Sequence, residues 1–214
     1  HTGHSMKLTE IEREMLSGAM GEPRRMAIEH QLKVGRFFDA ADTVEIGHVH
    51  IMADTEALGE SGVRFLEEIA AYPEDDRKVQ VPTVTDPRGA DFDAYKRIRH
   101  DQRFVNLERR ADTAFRALDV MMIDTCINYQ VFMPPVFGDH VAFGDTGSSI
   151  YTNSVLGART NFEGGPSALA AALTGRTPRY GLHLDEHRRG TTLCEVAMEP
   201  QSYSDWGALG GLVG

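Results

Sequence analysis

The chain has 214 residues, 41% hydrophobic and 25% charged, the balance of an ordinary globular protein with enough length for one large or two small cores. Its formal charge of −10, with Lys and Arg interleaved with Asp and Glu around Arg24, Arg110 and Arg188, excludes the basic stripe by which proteins grip nucleic acid. No apolar run is long enough to cross a bilayer and no secretory leader is visible, so neither nucleic acid nor membrane is an expected partner, and the expected compartment is the cytoplasm.

Residues 1–5 read as the remnant of an expression tag, with Met6 as the native start. Thr9 and Glu12 have capping-box spacing, which predicts a first helix ending near Gly18. Pro23 opens a second, whose apolar face carries Ile28, Leu32, Val34 and Phe38. Residues 43–51 alternate and are rich in β-branched side chains, which predicts one strand ending in His48 and His50. Two histidines on one face of a strand can ligate a metal, but no third ligand stands nearby, and polar residues facing a cleft are the favoured reading. A helix is expected through Leu58, Phe65, Leu66 and Ile69, then a strand over 79–83 and a hydroxyl-rich turn from Thr83 through Thr85 and Asp86 to Gly89. Leu107, Ala111, Ala114, Phe115 and Leu118 mark the clearest helix, followed by a short strand over 120–123 that runs into Asp124, Thr125 and Cys126.

Residues 138–178 carry few bulky hydrophobes and many short polar side chains interleaved with glycine. Asp145 reads as the cap of a helix in which Ile150, Val155 and Leu156 face inward, and a second helix runs from Pro166 to Thr174 with Gly175 as its stop. Two helix starts joined by a polar loop can cradle an anion, and such a stretch is equally how close helix packing is built. A short strand is expected over 180–184, and the apolar close from Asp205 to Gly214 suggests a truncated chain or a piece of a larger assembly. Cys126 and Cys194 lack any C-x-x-C spacing and default to buried free thiols. Helices alternating with short apolar strands predict a layered α/β architecture with ligands held at strand ends, the candidates lying around Gly47–His50, Thr83–Arg88 and Thr125–Cys126.

The stretch TNSVLGARTNFEGGPSALAAALTGRTPRYGLHLDEHR resembles the signature of the aconitase X family, and LTEIEREMLSGAMGEPRRMAIEHQLKVGRFFDA and VEIGHVHI resemble its opening and its histidine-ended strand. The resemblance implies an aconitase-like α/β domain of short strands flanked by helices, here incomplete: residues 6–214 would be the first portion of the catalytic domain. It implies an iron–sulfur hydro-lyase, with a 2Fe-2S or a 4Fe-4S cluster, acting on a small hydroxy acid. Two activities belong to the family, dehydration of cis-3-hydroxy-L-proline to Δ1-pyrroline-2-carboxylate and dehydration of mevalonate 5-phosphate. The Gly144–Gly147 segment resembles the hydroxyproline branch, which makes that the first expectation; a non-catalytic assembly subunit is the reading from another class.

By the same resemblance Cys126 would be one thiolate ligand, although Ile127 and Asn128 stand where Thr and Pro are common. Asp145 and Thr146 take the place of a Glu-Ser pair at the substrate; Gly47, His48, Val49, Thr85 and Asp86 would line the pocket. The amides of Thr146 and Gly147 would orient the substrate, and Arg159 would be either a carboxylate clamp or a structural tie. A cluster needs three or four thiolates and this chain has two, so the other ligands would lie outside it, as would the catalytic base, a serine on a small swivelling domain or subunit. The resemblance therefore implies that this polypeptide alone holds no intact cluster and turns over no substrate.

Overall fold

The computed structural model describes residues 6–213, and the tag-like residues 1–5 lie outside the described residues. The chain falls into two units, His1–Leu184 and Asp185–Gly214.

The first unit opens with α1 (Glu10–Ser17), where both halves of the capping box form: Thr9 N–H donates to Glu12 Oε2 at 2.6 Å, and Glu12 N–H to Thr9 Oγ1 at 3.4 Å. Helix α2 (Glu22–Phe37) follows, with Pro23 in its first turn. Met15 of α1 and Ile28 and Leu32 of α2 close a small core with Met6 and Ala40.

The single strand expected over 43–51 is two strands, β1 (Thr43–Glu45) and β2 (Val49–Ile51). They belong to different sheets. The chain crosses between them at Ile46 and Gly47, whose amides bond to Gly175 O and His140 O. After α3 (Thr55–Ala70), kinked at Gly59, and the single turn α4 (Glu74–Arg77), the strand expected over 79–83 forms later, as β3 (Thr83–Thr85). Val79 and Gln80 donate instead to the carbonyls of Leu118 and Ala172, so no ladder begins before Thr83. Helix α5 (Gln102–Ala117) comes next, and the strand expected over 120–123 reduces to one bridge between Met121 and Val84.

Beyond α6 (Asn128–Val131) lie β4 (Ala142–Phe143) and α7 (Thr146–Tyr151), which loosens into a π-helical turn over Thr152–Leu156. Helix α8 (Gly165–Thr174) leads to β5 (Arg176–Pro178), antiparallel to β1. The expected strand over 180–184 is a 3-10 turn, Gly181–His183, because Asn161 holds it from both sides: its side chain accepts from Leu182 N–H and donates to Tyr180 O.

Strands β3, β2 and β4 form a parallel sheet in that order, widened by the bridges of Met121 to β3 and of Phe162 to β4. The main core lies between this sheet and α3, α5 and α8, with Val49, Ile51, Leu66, Ile69, Phe115 and Leu173 at its centre. In α8 every residue from Ala168 to Thr174 is buried, so its alanines serve close packing. Helix α7 reverses expectation. Ile150 is 66% and Val155 60% exposed, while Ser148, Ser149 and Thr152 face inward. The hydroxyls win the inner side because Ser149 Oγ donates to Phe143 O and Ser148 Oγ to Asp145 O, tying the helix to the end of β4.

In the second unit a 3-10 turn, Asp185–Arg188, precedes α9 (Tyr203–Val213). Ser202 and Asp205 cap α9 reciprocally, at 2.9 Å from Ser202 N–H to Asp205 Oδ2 and 3.2 Å from Asp205 N–H to Ser202 Oγ. Cys194 is exposed, not buried as its residue type suggests.

Candidate functional site

The parallel sheet runs its chains out on one side, at Ile51, Thr85 and Phe143, and the segment after Met121 emerges beside them. Carboxyl ends of parallel strands are where open α/β sheets bind ligands, since helices cover both faces and only the ends stay open. Four polar segments meet there: Met52–Asp54, Asp86–Arg88, Asp124–Tyr129 and Gly144–Gly147. Gly144 is obligatory at this convergence. A Cβ on it would lie 2.7 Å from Glu163 O, 3.1 Å from His50 O and 3.2 Å from Met52 N, all backbone atoms with nowhere to go.

Cys126 stands at the centre. Its half-buried thiol is pushed up to about 11, first by burial, then by a hydrogen bond to the Asp145 side chain and by the negative charges of Asp145, Asp86 and Asp54. The loop that carries it is pinned by Arg88, whose Nη2 meets Asp124 Oδ2 at 2.6 Å and whose Nε meets Asp124 Oδ1 at 2.8 Å. Asp145 caps α7, accepting Gly147 N–H at 2.7 Å, so that amide is already committed and is not an open donor for a ligand. Asp86 accepts Ala53 N–H at 2.7 Å, yet burial, with Asp54, Asp145 and Glu108 around it, pushes its carboxyl up to about 6.

His48 and His50 lie beneath, 7% and 0% exposed. Burial lowers His48 to about 4 and also lowers His50. Each ring packs on Phe143, with centroids 5.0 and 5.8 Å away. His48 Nε2 is buried without a hydrogen-bond partner, and the buried His50 ring has the Thr125 backbone as its hydrogen-bonding neighbour.

Asp86, Cys126, Asp145, Thr146 and Gly147 are thus brought together, whereas His48 precedes β2 at the end away from the mouth, with Asp139 as a charged neighbour. Val49 and Thr85 are fully buried: Val49 joins the main core, and Thr85 Oγ1 reaches Met122 Sδ at 3.6 Å. Gly47 lies at the opposite end of β2 from the mouth. Arg159 Nη1 donates to His183 O at 3.1 Å, the contact of a structural tie. Sequence reasoning passed over Asp54 and Tyr129. Asp54 presents itself as an ordinary helix cap, accepting Ala57 N–H at 2.8 Å. The Tyr129 hydroxyl lies 3.8 Å from where a Cβ on Gly147 would sit, and the phenol is shifted upward by burial, Asp145 and Cys126. Only its position three residues after the cysteine could have flagged it.

Residues 5–186 match the sequence profile of the aconitase X first domain. The chain belongs to the aconitase X family. Membership and the layered α/β fold are as the sequence led one to expect. The crystal structure of Thermococcus kodakaraensis aconitase X in its holo-form superposes with a TM-score of 0.85 at 33% identity, over 97% of this chain and 51% of that one. The phosphomevalonate dehydratase large subunit of Methanothermobacter thermautotrophicus is 36% identical over 97% of this chain and 51% of its own length. The cis-3-hydroxy-L-proline dehydratase of Pseudomonas aeruginosa is 29% identical over 97% of this chain and 36% of its own length. The aconitase X chain described here therefore spans about half, or less, of the relatives it matches.

An iron–sulfur cluster, which this family implies, meets a partial fit. Cys126 offers one half-buried thiol at a polar mouth, surrounded by the carboxylates of Asp145, Asp86 and Asp54. Among the described residues no group of three or more His, Cys, Asp or Glu side chains is arranged to hold a metal ion. The neighbouring carboxylates are near enough to act on the thiol by charge but not spaced as ligands. The described residues therefore offer a single thiol, that of Cys126, toward such a cluster.

Proposed function

We propose that residues 6–214 form the first portion of the large component of an iron–sulfur hydro-lyase that removes water from a β-hydroxy acid. The observation that supports this most is the placement of Cys126 against Asp145 and near Asp86, at the shared carboxyl-terminal mouth of three parallel strands. Such an elimination removes a weakly acidic proton α to a carboxylate and expels hydroxide from the β carbon. A cluster held at Cys126 would supply Lewis acidity to the leaving oxygen.

The chain's own residues bind and position. Asp145 is fixed by the Gly147 amide, so the group touching the Cys126 thiol cannot swing away. Asp86, with one oxygen anchored by Ala53 and a carboxyl at about 6, holds or releases a proton near neutrality at the edge of the site. Thr146 stands at the rim with the substrate-contacting side of α7. The base that takes the α proton is proposed to be a serine on a small swivelling domain or subunit.

Of the two family substrates, mevalonate 5-phosphate now has the greater support. The large subunits of Methanothermobacter thermautotrophicus and Methanocaldococcus jannaschii phosphomevalonate dehydratase are both 36% identical, against 29% for the Pseudomonas aeruginosa hydroxyproline enzyme. That moves the first choice away from the one the Gly144–Gly147 segment suggested. Hydroxyproline keeps one physical argument: Asp54, Asp86 and Asp145 suit the cationic ring nitrogen of an imino acid better than a phosphate dianion. The test is a reconstituted assembly of this chain with the missing second half and a small subunit, cluster-loaded under anaerobic conditions and offered each acid, with water loss followed by mass spectrometry. Conversion of mevalonate 5-phosphate supports the first reading and conversion of cis-3-hydroxy-L-proline the second. A complete, cluster-loaded assembly that dehydrates neither refutes the hydro-lyase proposal and favours an assembly subunit.

A further inference from the structure

The parallel sheet has a second face, turned away from the main core, and part of its covering is polar. Strand side chains alternate, so Val49, Ile51 and Ala142 enter the main core while His50 and its register partner Phe143 point the other way. Phe143 packs there with Tyr129 and Val141, and Tyr151 closes over them, its ring centroid 4.8 Å from that of Tyr129. The chain neighbours of these two tyrosines are Asn128, on the loop that carries Cys126, and Thr152, at the start of the π-helical turn. Both are 0% exposed. Neither the amide nitrogen and oxygen of Asn128 nor the hydroxyl of Thr152 meets a hydrogen-bonding group of the protein.

Folded chains pair nearly all of their buried polar groups, because an amide or hydroxyl taken out of water without a partner keeps its full desolvation cost. The kind of partner follows from the atoms themselves. The Asn128 nitrogen needs an acceptor and its oxygen a donor, and the Thr152 hydroxyl can play either part. A cation would suit the two oxygens and be repelled by the amide N–H groups, and an anion would suit the N–H groups and be repelled by the carbonyl oxygen. Water donates and accepts at once and is small enough for an enclosed site. We infer that this layer is an internal hydration site, in which Asn128 holds at least one long-lived water between the Cys126 loop and the sheet. The inference stands apart from the hydro-lyase reading, since it concerns the folded chain without cluster or substrate.

Water-to-amide NMR cross-relaxation on the isotope-labelled 214-residue chain tests it, together with water-oxygen relaxation dispersion, which counts waters held longer than the protein takes to tumble. The side-chain N–H groups of Asn128, assigned by their disappearance in Asn128→Leu, should show cross-peaks to water with the sign of a long-lived contact. The dispersion amplitude should fall by about one water or more in Asn128→Leu, whose side chain is close in volume, and stay unchanged in Asn106→Leu, an exposed asparagine on α5. Circular dichroism establishes that each variant folds; if Asn128→Leu does not, the wild-type cross-peaks decide alone, assigned through their own backbone connectivity. Absence of water cross-peaks at the Asn128 side chain overturns the inference. So does an amplitude indifferent to Asn128→Leu, or one that falls when potassium is added, which would make the occupant a cation.

Discussion

Glu12 is the least conspicuous acid in the sequence and the one whose removal should cost the fold most. It serves twice. Its Oε2 accepts Thr9 N–H at 2.6 Å to complete the α1 cap, and its Oε1 meets Arg176 Nε at 2.8 Å and the Thr43 hydroxyl. The carboxylate is 1% and the guanidinium 11% exposed, and the pair spans α1, β1 and β5. Deleting one member of such a pair strands the other, at about 3–5 kcal/mol. Arg176 would keep Glu45, but that side chain is 83% exposed and offsets well under ~1 kcal/mol. Losing half of the capping box adds up to about 1 kcal/mol. We therefore expect Glu12→Ala to destabilise by about 3–4 kcal/mol, a fall of roughly 6–16 °C in melting temperature for a chain of this size. Urea unfolding followed by circular dichroism at pH 7 measures it.

The pH dependence sharpens that test. Burial alone would raise the Glu12 carboxyl, but its bonds to Thr43 and Thr9 and the charge of Arg176 overcome it and hold the group below its usual value of 4.5. A carboxyl lowered by folding contributes stability that is present above its unfolded value and is lost as pH falls through the folded one. The gap between wild type and Glu12→Gln should thus be widest near neutrality and narrow below about pH 4.5. A gap under about 1 kcal/mol for the alanine variant, or one indifferent to pH for the glutamine variant, would refute the reasoning.

Three further outcomes follow from the same geometry. Phe115→Ala, at a position 1% exposed in the main core, should destabilise by about 3–5 kcal/mol in the same urea titration. Gly144→Ala forces a methyl against three backbone atoms and should cost about 1–3 kcal/mol while displacing the Asp145 cap, seen as changed amide shifts for Gly147 in a heteronuclear NMR spectrum. His48, lowered to about 4 by burial, is neutral in the fold and takes up a proton on unfolding below its ordinary value of 6.5. Stability should therefore decline as pH falls from about 6.5 toward 4, and His48→Gln should flatten that part of the profile in thermal melts at stepped pH.

Helices were legible where local chemistry decides them. The Thr9–Glu12 box, the Pro23 start, the periodicity of Leu107–Leu118 and the Asp145 cap all stand where spacing put them. Strands were displaced because their limits depend on partners distant in sequence. Ile46 still pairs beside β5 through Gly175 while Gly47 turns to His140, and Val79 and Gln80 spend their amides on helix ends, none of which a local pattern records. The inward face of α7 was misread for a related reason. Hydrophobic periodicity assumes that apolar side chains seek the interior, and here the interior offers the carbonyl of Phe143, which a serine satisfies and an isoleucine cannot. Around the site, strand ends and helix-start spacing already pointed to Asp86, Cys126 and Asp145, and resemblance added the roles, whereas Asp54 was hidden by a capping role that it also fulfils.

The electrostatics of the site argue for a division of labour between this chain and whatever completes it. Burial, and then the charges of Asp54, Asp86 and Asp145, push the Cys126 thiol up, and burial with the neighbouring acids raises Asp86 too. Such a pocket is costly for a lone folded unit, because like charges repel and buried carboxyls and thiols lose their hydration. Those costs fall when a positively charged group enters, because its attraction for the carboxylates and for a thiolate offsets their mutual repulsion.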